Sequence, residues 1–406
     1  MAGILEGLKV VDMGHVVAVP SAGAILADWG ADVIKVEPVT GELARKGRSP
    51  YRVLQYDSGE VDWIIELLNR NKKGLALDLK KEGGKQALYK LIEKTDIFMS
   101  NYEASALKNL EMDYTTLSCF NPRLIYATLT AYGTAGPDKD QRGFDYSAAW
   151  ARTGGQYMMG EPGCAPPLQR GGMMDRVAGV HIVAGVLAAI IHRDRTGEGQ
   201  QLEFSLYHSG VWTLADDIQG ALVGRPLPQH NRKLAFNPLW NSYRTKDEQW
   251  FQLTMHQPET QWPDFCRAIE RPEWENDPRF NNVEVRMQNC EELIRMLDDI
   301  FASKKMEDWE RRFRENNCIY SRIQSPTEVV ADPQAIANNF FTEMDHPIAA
   351  KMKLVATPVT FKQNPASART PAPGVGQHNE EILLDLGYSM QDIVRLKDEG
   401  VIPQDG

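Results

Sequence analysis

LKVVDMGHVVAVPSAGAILADWGADVIKVEP, residues 8–38, decides the fold class. LKVVD (8–12) is a short β-branched run that suits a strand. PSAGAILADWG (20–30) reads as a helix, with proline near its start and glycine at its end. ADVIKVEP (31–38) is a second strand, stopped by Pro38. A strand, a helix and a strand in so short a span make a βαβ unit, which predicts a parallel sheet. The alternation continues through GLALDLK (74–80), the helical EGGKQALYKLIEKT (82–95), DIFMSNY (96–102) and RLIYATLTAYG (123–133). The expected class is α/β, with a Rossmann-like large domain built on a parallel sheet.

The first βα turn bears on function. It reads MGHVVAVPSAG (13–23), without the G-x-G-x-x-G of a dinucleotide site. Glu37 closes the second strand where a ribose-binding acid would sit, but one acid without the glycines reads as a solvated strand end. A nicotinamide enzyme is not expected.

Further along, Gly/Pro-rich segments at 132–143, 160–172 and 224–241 mark loops, and the last suits a boundary. SYRTKDEQWFQLTM (242–255) reads as a hairpin, and helical stretches follow near 259–270 and 290–316. ATPVTFKQ (356–363) is strand-like, and 378–401 holds two short helices split at Gly387. The expected organisation is a large domain over 1–225, a smaller α+β domain over 226–330, and a segment over 331–406 that returns to the large domain.

Composition narrows the partners. The chain has 406 residues and a formal net charge of −10, which argues against a general nucleic-acid binder. An anionic ligand must find a local basic pocket, and Arg45, Lys46 and Arg48, with Lys72 and Lys73, are the clusters on offer. MAGILEGLKVVDMGHVV does not read as a signal peptide. The longest apolar stretch, Val177–Ile191, is too short and too mixed for a bilayer, so no membrane partner and a cytoplasmic location are expected. The five cysteines form no C-x-x-C pair and the eight histidines no H-E-x-x-H, so neither a disulfide framework nor a metal site is expected.

One carboxylate stands out. In RGGMMDRVAGVHIVAGVLAAIIHR (170–193), Asp175 follows a Gly-Gly pair and precedes the apolar run. It reads as an N-cap, with Ala178 in the third helical position in place of a capping-box acid. The same geometry suits chemistry, because helix N–H groups favour an ionised carboxylate and an ionised carboxylate can attack an activated acyl group. Ser209 lacks the G-x-S-x-G setting of a hydrolase nucleophile. His181 and His208 read as helix or core histidines, and Asp216 with Asp217 as a polar helix face.

Several stretches together resemble the class III CoA-transferases. They are the 7–37 opening, NKKGLALDLK, TDIFMSNY, LIYATLTAYGTAGP, RTGEGQQLEFSLYHS and GQHNEEILLDLGYS, in that order and over nearly the whole chain. The resemblance implies a CoA-transferase that moves CoA from an acyl-CoA donor to a free aryl, 2-hydroxy or dicarboxylic acid, through aspartyl anhydrides and an aspartyl-CoA thioester. It places the nucleophile at Asp175. It puts CoA contacts at Val17, Ala18, Arg45, Leu77, Asp78, Lys80, Asn101, Tyr102 and Tyr132, with CoA as substrate and no prosthetic group; His15 in the first βα turn and the basic Lys72 are added as contacts from the residues themselves. It also implies an interlocked homodimer, or a heteromer with a homologous subunit. Pro38, Asn109 and Thr130 replace basic residues of the formyl-CoA branch, Val17 replaces its glutamine, and its tetraglycine loop is absent. NPLWNSY and GFDYSAAWARTGG look closer to the aryl-lactate branch, with the benzylsuccinate transferases as neighbours. Two alternatives are an α-methylacyl-CoA racemase and a non-catalytic subunit. The racemase base would stand at Phe144, and a phenyl ring cannot move a proton.

Overall fold

The computed structural model describes residues 3–46 and 61–404. Arg48 lies outside them, as does the side chain of Lys46. The chain divides into two compact units. The larger comprises residues 1–156, 168–226 and 336–406, and the smaller residues 157–167 and 227–335.

The larger unit begins with β1 (Lys9–Met13), α1 (Ala18–Asp28) and β2 (Asp32–Glu37), the expected βαβ unit. It continues with α2 (Trp63–Asn69), β3 (Lys72–Ala76), α3 (Glu82–Ile92), β4 (Ile97–Ser100) and β5 (Ile125–Thr130). Then come α4 (Met173–Thr196), β6 (Gln200–Ser205) and α5 (Leu206–Thr213). All neighbouring strand pairs are parallel, in the order β3-β2-β1-β4-β5-β6. This is the doubly wound order, and its strand order reverses between β1 and β4. The third strand starts earlier than its apolar run suggests. Lys72 and Lys73 lie inside β3, while Leu77–Lys80 follow its carboxyl end.

Alternate side chains serve the two faces of the sheet. Val10 packs into a core with α1 and α4, and Val11 into a core with α3 and the C-terminal helices. Gly179 on α4 allows a close crossing with α1. A Cβ there would run into Ser21 Oγ and lie 3.0 Å from the Ala18 carbonyl oxygen. The apolar stretch is the middle of a 24-residue helix, longer than the sequence suggests. By length and composition α4 is long and apolar enough to cross a membrane, yet Ala178, Ile182, Val183, Val186 and Ala189 are buried in the core shared with α1.

In the smaller unit, β7 (Ser242–Arg244) and β8 (Trp250–Leu253) form the expected hairpin. α6 (Pro258–Ala268), α7 (Cys290–Phe301) and α8 (Met306–Glu315) pack on it, and β9 (Tyr320–Arg322) joins it antiparallel. Back in the larger unit, residues 356–363 form no strand. The strands there are β10 (Phe341–His346) and β11 (Ala350–Val355), and Phe361 instead packs edge-on against Trp29 at 5.1 Å. α9 (Asn379–Asp385) and α10 (Met390–Asp398) flank Gly387, which has φ +85°.

The α1–α4 crossing gives a direct test. Gly179→Ala forces a methyl group against Ser21 and the α1 backbone, and overpacking of this kind costs roughly 1–3 kcal/mol. The expected outcome is a lower melting temperature in thermal unfolding, although alanine is the better helix former.

Candidate active site

The reversal of strand order brings the loop after β1 beside the loop after β4. The first of these, Gly14–Val17, is held from several elements. Asp12 Oδ1 accepts from the Gly14 N–H at 2.9 Å. Asn101 accepts the His15 N–H and donates to the His15 carbonyl, both at 2.9 Å. Glu42 accepts the Val16 N–H at 3.1 Å, and Lys35 donates to the Gly14 carbonyl. The His15 and Tyr102 rings lie 5.2 Å apart. Burial is the main cause that lowers the His15 pKa below the usual imidazole range.

Asp175 sits at the N-terminal turn of α4 and is 8% exposed. It is not the N-cap. Gly172 holds that position with φ +74°, a left-handed conformation that suits glycine, and Asp175 is the third helical residue. A Cβ at Gly172 would lie 3.4 Å from Val17 Cγ1, so the first βα loop abuts the start of α4. The cap comes from elsewhere. The buried Asp145, on a π-helical segment (Asp145–Ala151), accepts from the backbone N–H groups of Gly172, Tyr146 and Met174. Its Oδ2 is buried without a hydrogen-bond partner.

This arrangement overturns the expectation that the helix end keeps Asp175 readily ionised. Burial pushes its pKa up to about 7, with the nearby Asp145 carboxylate adding to the rise and Arg176 opposing it. Asp145 is raised as well, chiefly by burial. Asp145 was missed in the sequence, although GFDY was singled out. Phe144, in the position of a racemase base, is 58% exposed, whereas the acid beside it is buried.

The other expected contacts mostly line the same carboxyl edge. His15, Val17 and Ala18 follow β1, and Asn101 and Tyr102 follow β4. Leu77, Asp78 and Lys80 follow β3, with Leu77 buried and Lys80 exposed. Tyr132 follows β5, and Arg152 stacks over its ring at 4.8 Å. Arg45 follows β2, but its Nε donates to Glu37 at 2.8 Å and its Nη2 to the Pro373 carbonyl at 2.8 Å. Glu37 is therefore part of an internal ion pair, not a solvated strand end.

Lys72 is the exception. Its ammonium is buried and donates to Asp12 at 2.6 Å, the Pro20 carbonyl at 2.9 Å and Asn69 at 3.0 Å. Burial lowers its pKa to about 8 despite Asp12. With those donors taken, it is an internal tie of α1 to the sheet and not a phosphate ligand. Its neighbour Lys73 pairs with Glu381 at 2.8 Å. His181 Nδ1 lies 3.1 Å from the buried Ser209 Oγ, a satisfied pair between α4 and α5. Among the described residues, no group of three or more His, Cys, Asp or Glu side chains converges as a metal site.

The raised Asp175 pKa has a stability consequence. A carboxyl group whose folded-state pKa lies above its unfolded value destabilises the fold once pH is high enough to ionise it in the unfolded chain. The cost begins above the ordinary pKa of 3.8 and is fully present above about 7. Asp175→Asn is expected to melt at a higher temperature than the unaltered chain at pH 8, with the gap narrowing toward pH 5 in paired thermal melts.

Residues 5–379 match the sequence model of CoA-transferase family III. The (R)-2-hydroxy-4-methylpentanoate CoA-transferase of Clostridioides difficile is 34% identical, covering 98% of this chain and 99% of its own. The cinnamoyl-CoA:phenyllactate CoA-transferase of Clostridium sporogenes is 33% identical, covering 98% and 97%. In fold, a CAIB/BAIF family protein from Brucella suis superposes with a TM-score of 0.82 over 95% of this chain and 100% of its own, at 24% identity. With its nucleophile candidate at the mouth of α4 and a doubly wound sheet beneath it, the chain belongs to CoA-transferase family III, an enzyme class that works on CoA thioesters.

Proposed function

We propose that Asp175 is the nucleophile of a transfer of CoA from an acyl-CoA to a free 2-hydroxy acid with a branched or aryl side chain. The observation that carries this is the setting of Asp175, a buried carboxyl with a pKa near 7 beside the first βα loop at the carboxyl edge of the sheet. The acid class rests on the two relatives, which act on (R)-2-hydroxy-4-methylpentanoate and phenyllactate.

The steps balance without a redox partner. The ionised Asp175 carboxylate attacks the donor thioester carbonyl, the C–S bond breaks, and CoA thiolate leaves a mixed anhydride. The thiolate attacks the aspartyl carbonyl, forming the enzyme thioester and releasing the donor acid as its carboxylate. The acceptor carboxylate then attacks this thioester and expels CoA thiolate. Attack of the thiolate on the acceptor carbonyl yields the new acyl-CoA and restores Asp175. Splitting the exchange through covalent intermediates replaces one hard step with easier ones.

Burial serves this sequence twice. It makes the carboxylate more basic than an exposed one, and it keeps water from the anhydrides. Phe144 offers no proton-transfer group, so the racemase reading gains nothing from the geometry. CoA binds along the carboxyl edge, with His15, Val17, Ala18, Arg45, Leu77, Asp78, Lys80, Tyr102 and Tyr132 as its surroundings. The working form is a cytoplasmic homodimer. This assembly is what the family resemblance implies, and sedimentation gives its mass.

Hydroxylamine traps an activated aspartyl group as a hydroxamate. Incubation with cinnamoyl-CoA or the CoA ester of (R)-2-hydroxy-4-methylpentanoate is expected to change the mass of the Asp175 peptide. Asp175→Ala is expected to lose transfer by more than about a thousandfold, the scale seen when a covalent nucleophile is removed. Full transfer by Asp175→Ala would refute the mechanism.

The pH dependence is also fixed in sign. Protonated Asp175 cannot attack, so the acylation rate falls as pH drops through about 7. Asp145→Asn removes a like charge and is expected to move that midpoint to lower pH, read from single-turnover acylation across pH 5–9.

A further inference from the structure

Val16 has φ +65°. A β-branched residue in the left-handed region is a genuine outlier, and such strain persists only where the surroundings over-determine it. Here they do. The N–H groups of Gly14, His15 and Val16 go to Asp12, Asn101 and Glu42. The carbonyls of Gly14, His15 and Val17 accept from Lys35, Asn101 and the Ser21 N–H. The four side chains come from β1, β2 and the loops after β2 and β4, so no single element decides the conformation.

Three of the four are charged and buried. Asp12 and Lys35 are fully buried and Glu42 is 3% exposed. Lys35 Nζ lies 4.0 Å from Asp12 and 3.9 Å from Glu42 Oε1, and that oxygen has no hydrogen-bond partner. A buried cluster of this kind is weak evidence for stability, because apolar residues in the same space would often be as stable. What it provides here is donors and acceptors aimed at three consecutive peptide groups. The loop so fixed ends at Val17, which meets Gly172 at the entrance to the helix that carries Asp175.

We infer that Asp12, Lys35, Glu42 and Asn101 are positioning residues that hold the Gly14–Val17 loop in its strained form so that the donor thioester is aimed at Asp175. This rests on Asp175 as the nucleophile. It also reassigns Asn101, whose side-chain amide is engaged on both sides of His15, from a ligand contact to a support of the loop. A displacement of about 1 Å in the aim of a reacting group can cost on the order of a hundredfold in rate, which is the scale at which such a device acts.

Two substitutions at Val16 separate conformation from mere packing. Val16→Gly releases the strain and lets the loop move, while Val16→Asn keeps a side chain and tolerates the left-handed conformation. The measurement is single-turnover labelling of Asp175 in the full chain by cinnamoyl-CoA or the CoA ester of (R)-2-hydroxy-4-methylpentanoate, with thermal melts in parallel. Val16→Gly is expected to melt at or above the wild-type temperature. Its acylation rate at saturating donor is expected to fall about tenfold or more, with the donor concentration at half-saturation kept within about threefold. Val16→Asn is expected to keep the rate within about threefold. An unchanged rate in Val16→Gly, a lowered melting temperature in it, or an equal loss in Val16→Asn would each overturn the inference while leaving Asp175 as nucleophile. Absence of label on the wild-type chain with both donors would instead fell the nucleophile and the inference together.

Discussion

The architecture turns on one carboxylate, Asp12, at the carboxyl end of the central strand. It is fully buried, and its partners are the ammonium groups of Lys72 at 2.6 Å and Lys35 at 4.0 Å. Burial alone would raise its pKa, but the two lysines outweigh that and hold it below the usual carboxylate value. Each partner reaches a different part of the site. Lys72 also grips the Pro20 carbonyl in the first turn of α1. Lys35 grips the Gly14 carbonyl in the loop ahead of that helix. Because α1 crosses α4 closely at Gly179, this charge cluster also helps set where the start of α4 lies.

The two buried acids near α4 follow the opposite logic. Asp12 has cations at hand and stays ionised, whereas Asp145 and Asp175 share a site where, among the described residues, Arg176 is the counter-charge. Asp145 is compensated by backbone N–H groups, and Asp175 gains no such bonds. The acid with the weaker support therefore has the pKa displaced to about 7. Neighbouring carboxyls whose environments treat them differently take different roles. Asp145 finishes the helix end, and Asp175 remains basic and available.

The fold was legible because its signals are local. Residues 8–38 carry strand, helix and strand with their own stops, and the structure adds only a shift of a residue or two at the ends. β3 was displaced because the apolar letters of GLALDLK run past the strand, while its first residues are lysines. Residues 356–363 carry β-branched letters but form no strand, and Phe361 packs on Trp29 instead. Family resemblance brought Asp175 forward, yet its helix position was misread. An N-cap is a matter of backbone angle, and the φ of Gly172 cannot be read from a Gly-Gly pair. Lys72 was misplaced because a lysine in a sequence reads as solvated until something buried needs it.

The sequence does contain a signal for buried charge. Strands of a doubly wound sheet are buried on both faces and ordinarily read as continuous apolar runs. LKVVD and DVIKVE break that rule at Asp12, Lys35 and Glu37, all three of which are nearly or fully buried. Charges inside such strands carry a large desolvation cost unless they are paired. Their presence implied in advance that oppositely charged groups converge at the carboxyl ends of β1 and β2. In a doubly wound sheet that end is where ligands bind. The irregular letters in the most regular part of the chain were thus the part of the site that the sequence stated most directly. Their meaning was electrostatic and long-range, which periodicity does not capture.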